Sequence, residues 1–215
     1  MTILFLTNNA VSKPLSDWLS TRDKVIIWSE KLSIENITNI QPNVVVSYSY
    51  SHILKVEELN SLPNRIINLH ISLLPYNRGA DPNAWSFLEN TPKGVSIHLI
   101  DPGVDTGELL VQKEVVFDEN TETLAHSYQV LQEEIQSLFR DNWDDIKYWK
   151  IKGVAQAGKG TFHYARDFAM IKNRLLGEEG WDVPISYFKE RYRQLLNGRG
   201  MLEIDGSVGL ASDLT

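Results

Sequence analysis

The sequence predicts an α/β fold: a doubly wound, Rossmann-like, mainly parallel sheet with a small irregular or helical C-terminal extension. Three observations carry this expectation. Short apolar runs rich in β-branched residues recur through the N-terminal half, and residues 44–47 are continuous in them, as a strand buried on both faces requires. Segments long enough to be crossover helices separate these runs, so β and α elements alternate. Two later apolar runs each end in a turn-rich segment, residues 75–79 and 101–107.

In chain order, residues 2–6 form a first strand ahead of Thr7-Asn8-Asn9. Its apolar run is too short for a membrane span and no basic cluster precedes it, so it reads as a strand and not as a signal peptide. Residues 14–19 start a helix, 24–28 and 44–47 are the second and third strands, and about 53–60 is a crossover helix. The run beginning at Arg65 and ending at His70 is the next strand, and 94–101 follows the loop after it. Residues 108–117 come after only a short turn, so they are expected to pair with 94–101 as an antiparallel hairpin on the sheet edge. Residues 121–149 carry Leu124, Tyr128, Leu131, Ile135, Leu138 and Phe139 at helical spacing, with an N-terminal cap at Asn120 or Thr121. Residues 153–160 contain three glycines and read as a loop, 161–181 as aromatic-rich and irregular, and 184–196 as a short amphipathic helix. The tail after about 198 is expected to be weakly ordered. These elements divide into a catalytic domain over 1–150 and a small extension over 151–215.

At 215 residues and 42% apolar, the chain can bury a full core. The absence of cysteine removes disulfides, thiolate nucleophiles and cysteine metal sites, and agrees with a reducing cytoplasm. A net charge of -7 argues against a general affinity for nucleic acid. The charge is uneven, because residues 147–199 hold eleven Lys/Arg and five Asp/Glu. That excess is either a solvated mixed-charge surface or a source of cations for a phosphate-bearing substrate.

The chemistry-bearing residues are Asn68, His70 and Asp105. Asn68 and His70 are two apart on a strand, so they share a face. An amide N–H can stabilise a developing oxyanion without changing charge, an imidazole can donate or shuttle a proton, and a carboxylate can orient the imidazole and raise its pKa. Taken singly, each has a structural reading: a loop cap, a solvent histidine, a turn aspartate. The Asp105-Thr106-Gly107 tripeptide occurs once, so it lacks the second half of an aspartic-protease dyad. His52, His70, His98, His126 and His163 lie on separate elements without metal-ligand spacing, and no metal is expected. His98 is open between a supporting and a purely structural role.

Asn68-x-His70, Ser72-Leu73-Leu74-Pro75, Arg78-Gly79, Gly94-Val95-Ser96-Ile97-His98 and Asp105-Thr106-Gly107 resemble, in order and approximate spacing, the folate-dependent formyltransferases. The loop from Asn77 to Trp85 and the short chain look most like the nucleotide-sugar N-formyltransferase branch. The resemblance implies direct attack of an amino-sugar amine on 10-formyltetrahydrofolate through a tetrahedral intermediate, with Asn68, His70 and Asp105 catalytic. It implies a folate site at Tyr50, His52, Ile53 and Leu54 and at Ile100, Asp101 and Val104. The acceptor residues expected are Arg78, Gly79, Asn83 and Trp85, together with Lys159, His163 and Arg166 from the basic, aromatic segment. A cytoplasmic enzyme of polysaccharide biosynthesis follows. Its expected partners are a small nucleotide sugar and at most a second copy in a homodimer, with no nucleic acid and no membrane. The competing readings are the same chemistry on glycinamide ribonucleotide or another small amine, hydrolysis of formyl-folate, and a non-catalytic folate-binding module. Residues 8–12 lack the Gly/Ser-rich phosphate loop of the glycinamide-ribonucleotide branch, and the tRNA-directed branch carries a sizeable second domain.

Overall fold

The computed structural model describes residues 1–63 and 66–204, with side chains to residue 198. Its elements are β1 (Thr2–Leu6), α1 (Lys13–Ser20), β2 (Lys24–Trp28), α2 (Ile34–Ile40), β3 (Val44–Tyr48), α3 (Val56–Ser61), β4 (Ile66–His70), β5 (Arg78–Gly79) and α4 (Pro82–Leu88). There follow β6 (Gly94–Leu99), β7 (Leu109–Glu114), α5 (Leu124–Lys147), β8 (Phe162–His163), α6 (Ala165–Ala169), α7 (Lys172–Leu176) and α8 (Ile185–Ile204). The expected strand start at Arg65 lies outside the described residues, as does the expected weak order of the tail beyond residue 204.

Six strands form one sheet in the order β2-β1-β3-β4-β6-β7. The first four are parallel, whereas β6 runs antiparallel to β4, and β7 antiparallel to β6. The sheet is therefore α/β with an antiparallel hairpin on one edge. Period-two alternation divides its side chains between two cores. Ile3, Phe5, Val44, Val46, Ile67, Leu69, Val95 and Ile97 face one way, onto α1 and α5. Leu4, Leu6, Val45 and Ile66 face the other way, onto Leu32, Ile37, Leu54 and Leu62. α5 presents Leu131, Ile135, Phe139, Trp143 and Ile146 as its buried stripe.

Local chemistry sets the helix ends. Ser33 and Asn36 form a reciprocal capping box on α2. α5 is capped by Thr123, whose hydroxyl accepts from His126 N, and not by Asn120 or Thr121. Those two residues instead form a turn on the Asp118 carboxylate.

The C-terminal segment is more regular than its composition suggests. Residues 161–181 contain β8 and two short helices, and α8 continues past the expected end at 196. Residues 82–85, read as the end of the loop from Asn77 to Trp85, instead open the helix α4, with Pro82 in its first turn. Together these elements make a third apolar cluster: Ala84, Trp85, Phe87 and Leu88 of α4 meet Phe168, Leu175, Val183, Ile185 and Phe188. Among the described residues, no helix is long and apolar enough to cross a membrane.

Phe168 is 1% exposed at the centre of that third cluster. Phe168→Ala is expected to cost about 3–5 kcal/mol in denaturant unfolding. A loss below about 1 kcal/mol, less than a partly buried side chain contributes, would mean that the C-terminal helices do not pack on α4 as described.

Candidate active site

The site follows from the alternation on β4 and β6. Ile67, Leu69, Val95 and Ile97 are committed to the α5 core. Asn68 and His70, and Ser96 and His98, therefore project from the opposite face. The antiparallel register sets Asn68 directly across from His98. Because β6 is antiparallel, its carboxyl end lies beside the amino-terminal half of β4, with Leu99 opposite Ile67. Asp105 thus does not stand at a parallel strand terminus. The loop joining β6 to β7 folds back across the sheet face, with Asp105 in the left-handed region at φ 52, a conformation Asp tolerates better than most residues.

The Asp105 carboxylate is the hub of the site. Oδ1 accepts from Asn68 Nδ2 at 3.1 Å, and Oδ2 accepts from the Gly79 backbone N–H at 2.9 Å. His98 Nε2 lies 3.4 Å from Oδ1, and His70 Nδ1 lies 3.7 Å from Oδ2. Burial opposes ionisation of this carboxyl, but in the acid range where it titrates the two imidazoles carry charge, and with the Gly79 N–H they outweigh burial and hold Asp105 below the usual carboxylate range.

The two histidines differ in which nitrogen is engaged. His98 Nδ1 is 2.7 Å from Leu99 O. A carbonyl can only accept, so Nδ1 carries the hydrogen and Nε2 of the neutral ring accepts from Asn68 Nδ2 at 3.1 Å. His70 Nε2 lies 3.0 Å from Asn77 O, so in the neutral ring Nε2 carries the hydrogen and Nδ1, on the Asp105 side, keeps its lone pair. At 3.7 Å the carboxylate acts on this ring by charge, and the Asn77 carbonyl is what orients it.

Asn77, fully buried at φ 56, is itself fixed. Its N–H donates to Thr161 Oγ1 and its Nδ2 to Thr91 Oγ1, each at 2.8 Å. Gln156 holds the Asp105 loop by donating Nε2 to Asp105 O and Gly107 O, while its Oε1 accepts from Arg78.

This cluster opens onto a cleft of about 720 Å³. Tyr50, His52, Ile53, Leu54, Ile100, Asp101 and Val104 all line it. Leu54 also belongs to the core beneath, whereas Ile53 is 74% exposed. Of the residues expected at the acceptor, Gly79 and His163 line the cleft, and Asn83 lines an adjoining cavity with its amide hydrogen-bonded to Leu124 O and Ser127.

The other four lie elsewhere. Arg78 is turned onto Gln156. Trp85 is 6% exposed, with one face stacked on His163 at 4.0 Å between centroids, so it is a core residue. Lys159 and Arg166 are exposed and line no part of the cleft, and Arg166 lies over the exposed Tyr164 ring. Tyr128 and Gln132 of α5 reach the cleft unanticipated. The polar–apolar alternation of Ser96 and His98 with Val95 and Ile97 was a legible signal for His98, but nothing local marked Asn77 or Gln156. Among the described residues no group of three or more His, Cys, Asp or Glu is arranged to hold a metal ion.

The family model described as "Formyl transferase" matches residues 28–141, more than half of the 215. A solved formyltransferase, PseJ from Anoxybacillus kamchatkensis, in complex with UDP-4,6-dideoxy-4-formamido-L-AltNAc and tetrahydrofolate, is 39% identical and superposes with a TM-score of 0.80. The match covers 89% of this chain and 100% of that one. A sugar N-formyltransferase from a Shewanella species shares the fold, with a TM-score of 0.70 at 22% identity over 89% of this chain and 87% of that one. A curated relative, the methionyl-tRNA formyltransferase of Thermodesulfovibrio yellowstonii, is 28% identical over 191 residues, 82% of this chain. The chain spans 61% of that relative's length. The chain belongs to the formyl transferase family.

The lowered Asp105 pKa has a definite sign. Stability from this group is present above its unfolded value of 3.8 and is lost as pH falls through the folded value. Wild type should therefore melt above Asp105→Asn at neutral pH, and the gap should close as pH drops below 3.8. A gap that widens in acid would reverse the assignment.

Proposed function

We propose that this member of the formyl transferase family is an N-formyltransferase that moves a formyl group from 10-formyltetrahydrofolate to the amine of a nucleotide-linked amino sugar. The observation that carries the reading is the convergence of Asn68, His70 and Asp105 on one edge of the cleft. Further support comes from the 39% identity to a protein solved with a UDP-linked formamido sugar and tetrahydrofolate.

The cleft fits the donor. Ile53, Leu54, Ile100 and Val104 supply apolar walls, and the loops between them supply backbone donors and acceptors for a flat heterocycle. When bound, the folate supplies the formyl carbon as electrophile and a nitrogen as leaving group. The chain's own residues do the rest. Asn68 donates to the oxygen that gains charge as the amine attacks. Its Nδ2 hydrogens lie on Asp105 and His98, so this is an exchange of one acceptor for another. His70 takes the amine proton on Nδ1 and hands it to the departing nitrogen, and Asp105 stabilises the transient imidazolium. No covalent enzyme intermediate is needed.

A tRNA-borne amine is the competing acceptor, favoured by the naming of the curated relatives. Incubating the protein with 10-formyltetrahydrofolate, amino-sugar nucleotides and methionyl-tRNA, with product mass as readout, separates the two readings. Formylation of the tRNA alone would overturn the sugar assignment.

Asn68→Ala and His70→Ala should each lower turnover at least about 100-fold with the fold intact. Near-normal turnover in either variant removes that residue from the mechanism. Tetrahydrofolate should raise the melting temperature of wild type by mass action, and Ile53→Glu, on an exposed wall, should abolish the rise. An unchanged rise would place the folate elsewhere.

A further inference from the structure

Beside the reaction cleft lies a second cavity of about 480 Å³, walled mainly by Ile71, Pro82, Ala84, Leu124, Tyr128 and Trp181. Ile71, Asp81, Pro82 and Tyr128 line both spaces, so the two meet there. Ile71 directly follows His70, and Asp81 lies two residues beyond Gly79, whose N–H holds Asp105. The junction is therefore adjacent to the catalytic cluster.

We infer that this side cavity seats the sugar ring of the acceptor, and that Asp81 at the junction binds the acceptor's amine as an ammonium. The inference rests on the proposed function and assigns the acceptor's place within it. Asp81 is at φ 52 immediately before α4, and its side chain makes no helix-capping hydrogen bond. Among the described residues no hydrogen bond reaches its carboxylate, although the Lys172 charge acts on it. Half-burial without a donor pushes its carboxyl up, with Lys172 partly opposing. An ammonium supplies the missing donors. At neutral pH an unbound aliphatic amine is mostly in that form.

Charge also sets the acceptor's orientation. No Lys or Arg lines the side cavity, and its one carboxylate repels phosphate. The diphosphate and nucleoside must then lie outside it, and only the sugar enters. The walls are mainly apolar and the Asn83 amide is already hydrogen-bonded to Leu124 O and Ser127, so few buried hydroxyls would find partners, which favours a deoxygenated amino sugar over a fully hydroxylated one. With the sugar seated, its nitrogen faces the junction. There the ammonium loses one proton to water. The nitrogen then bonds to the formyl carbon while the formyl bond to the folate nitrogen breaks. The second proton passes through His70 to that leaving nitrogen, giving tetrahydrofolate and the formamide. Asp81 orients the nitrogen and is unchanged at the end.

The test compares a matched pair, UDP-linked 4-amino-4,6-dideoxy sugar and its 4-hydroxy counterpart, on wild type and Asp81→Asn. Wild type should bind the amine at least about tenfold more tightly, by calorimetry, and Asp81→Asn should lose that preference. In turnover the variant's defect should lie in KM, and should shrink as pH rises through the amine's own pKa. The tetrahydrofolate melting shift should be unchanged. Because the folded pKa of Asp81 is raised, its ionised form destabilises at neutral pH. Asp81→Asn should therefore melt no lower than wild type there, which controls for folding. Ala84→Leu, which fills the cavity, should raise the acceptor KM and leave the folate shift alone. An amine preference that survives in Asp81→Asn, with wild type active, overturns this inference alone. Wild type that binds neither probe and formylates no amino-sugar nucleotide overturns the acceptor reading and the inference with it.

Discussion

One buried carboxylate governs the arrangement of this molecule's working end. Asp105 accepts from Asn68 and from the Gly79 backbone and stands beside two imidazoles. To reach that position the β6–β7 loop must reverse over the sheet face, which is why Asp105 adopts a left-handed backbone and why Gln156 ties down the loop carbonyls at Asp105 and Gly107. Gly79 has to approach equally closely. Its φ is +86, and a Cβ there would lie 2.3 Å from His163 O, so only glycine lets β5 pair with β8 while its N–H reaches Asp105. A desolvated charge is tolerated because so many donors and partial charges converge on it.

The sheet's change of polarity makes this convergence possible. With β6 antiparallel to β4, Asn68 and His98 become direct cross-strand neighbours. Two strands thereby contribute polar side chains to one face, while their alternate positions complete the α5 core on the other. The cleft lies between the loops that follow β3 and β6 on one side and the C-terminal segment on the other. That segment closes the far wall because Trp85 stacks on His163 and α4 shares a core with α6, α7 and α8. Packing far from the cluster thus fixes the distance across the cleft.

Much of this was legible in the sequence, and the failures have physical causes. β2 was found at its observed bounds from its short apolar run alone, although it is an edge strand with Ile27 exposed, and β3 nearly so, because a strand buried on both faces is a continuous apolar run. The hairpin of β6 and β7 followed from a connection too short for a crossover. Asn68 and His70 could be placed on one face by period two alone. What failed was long-range. α4 was hidden by turn residues at its start, and its Trp85 looked like a ligand contact when it is a hydrophobic anchor for helices eighty residues away in sequence. Lys159 and Arg166, expected from composition to meet a phosphate, lie on the surface outside the cleft lining. The role given to Asp105 also needed correction. Its carboxylate sets the charge beside His70, while orientation comes from a backbone carbonyl at Asn77 that no side-chain pattern could reveal.

The arrangement around Asp105 leaves His70 with one free lone pair, and the proposed proton transfer depends on it. Nitrogen-15 NMR of the histidine rings reads this directly. With the imidazoles neutral, His70 should show a protonated Nε2 and a bare Nδ1, and His98 the reverse, Nδ1 protonated onto Leu99 O. A His70 ring protonated at Nδ1 toward Asp105, with a bare Nε2, would contradict the account, because the nitrogen assigned to accept the amine proton would already carry one.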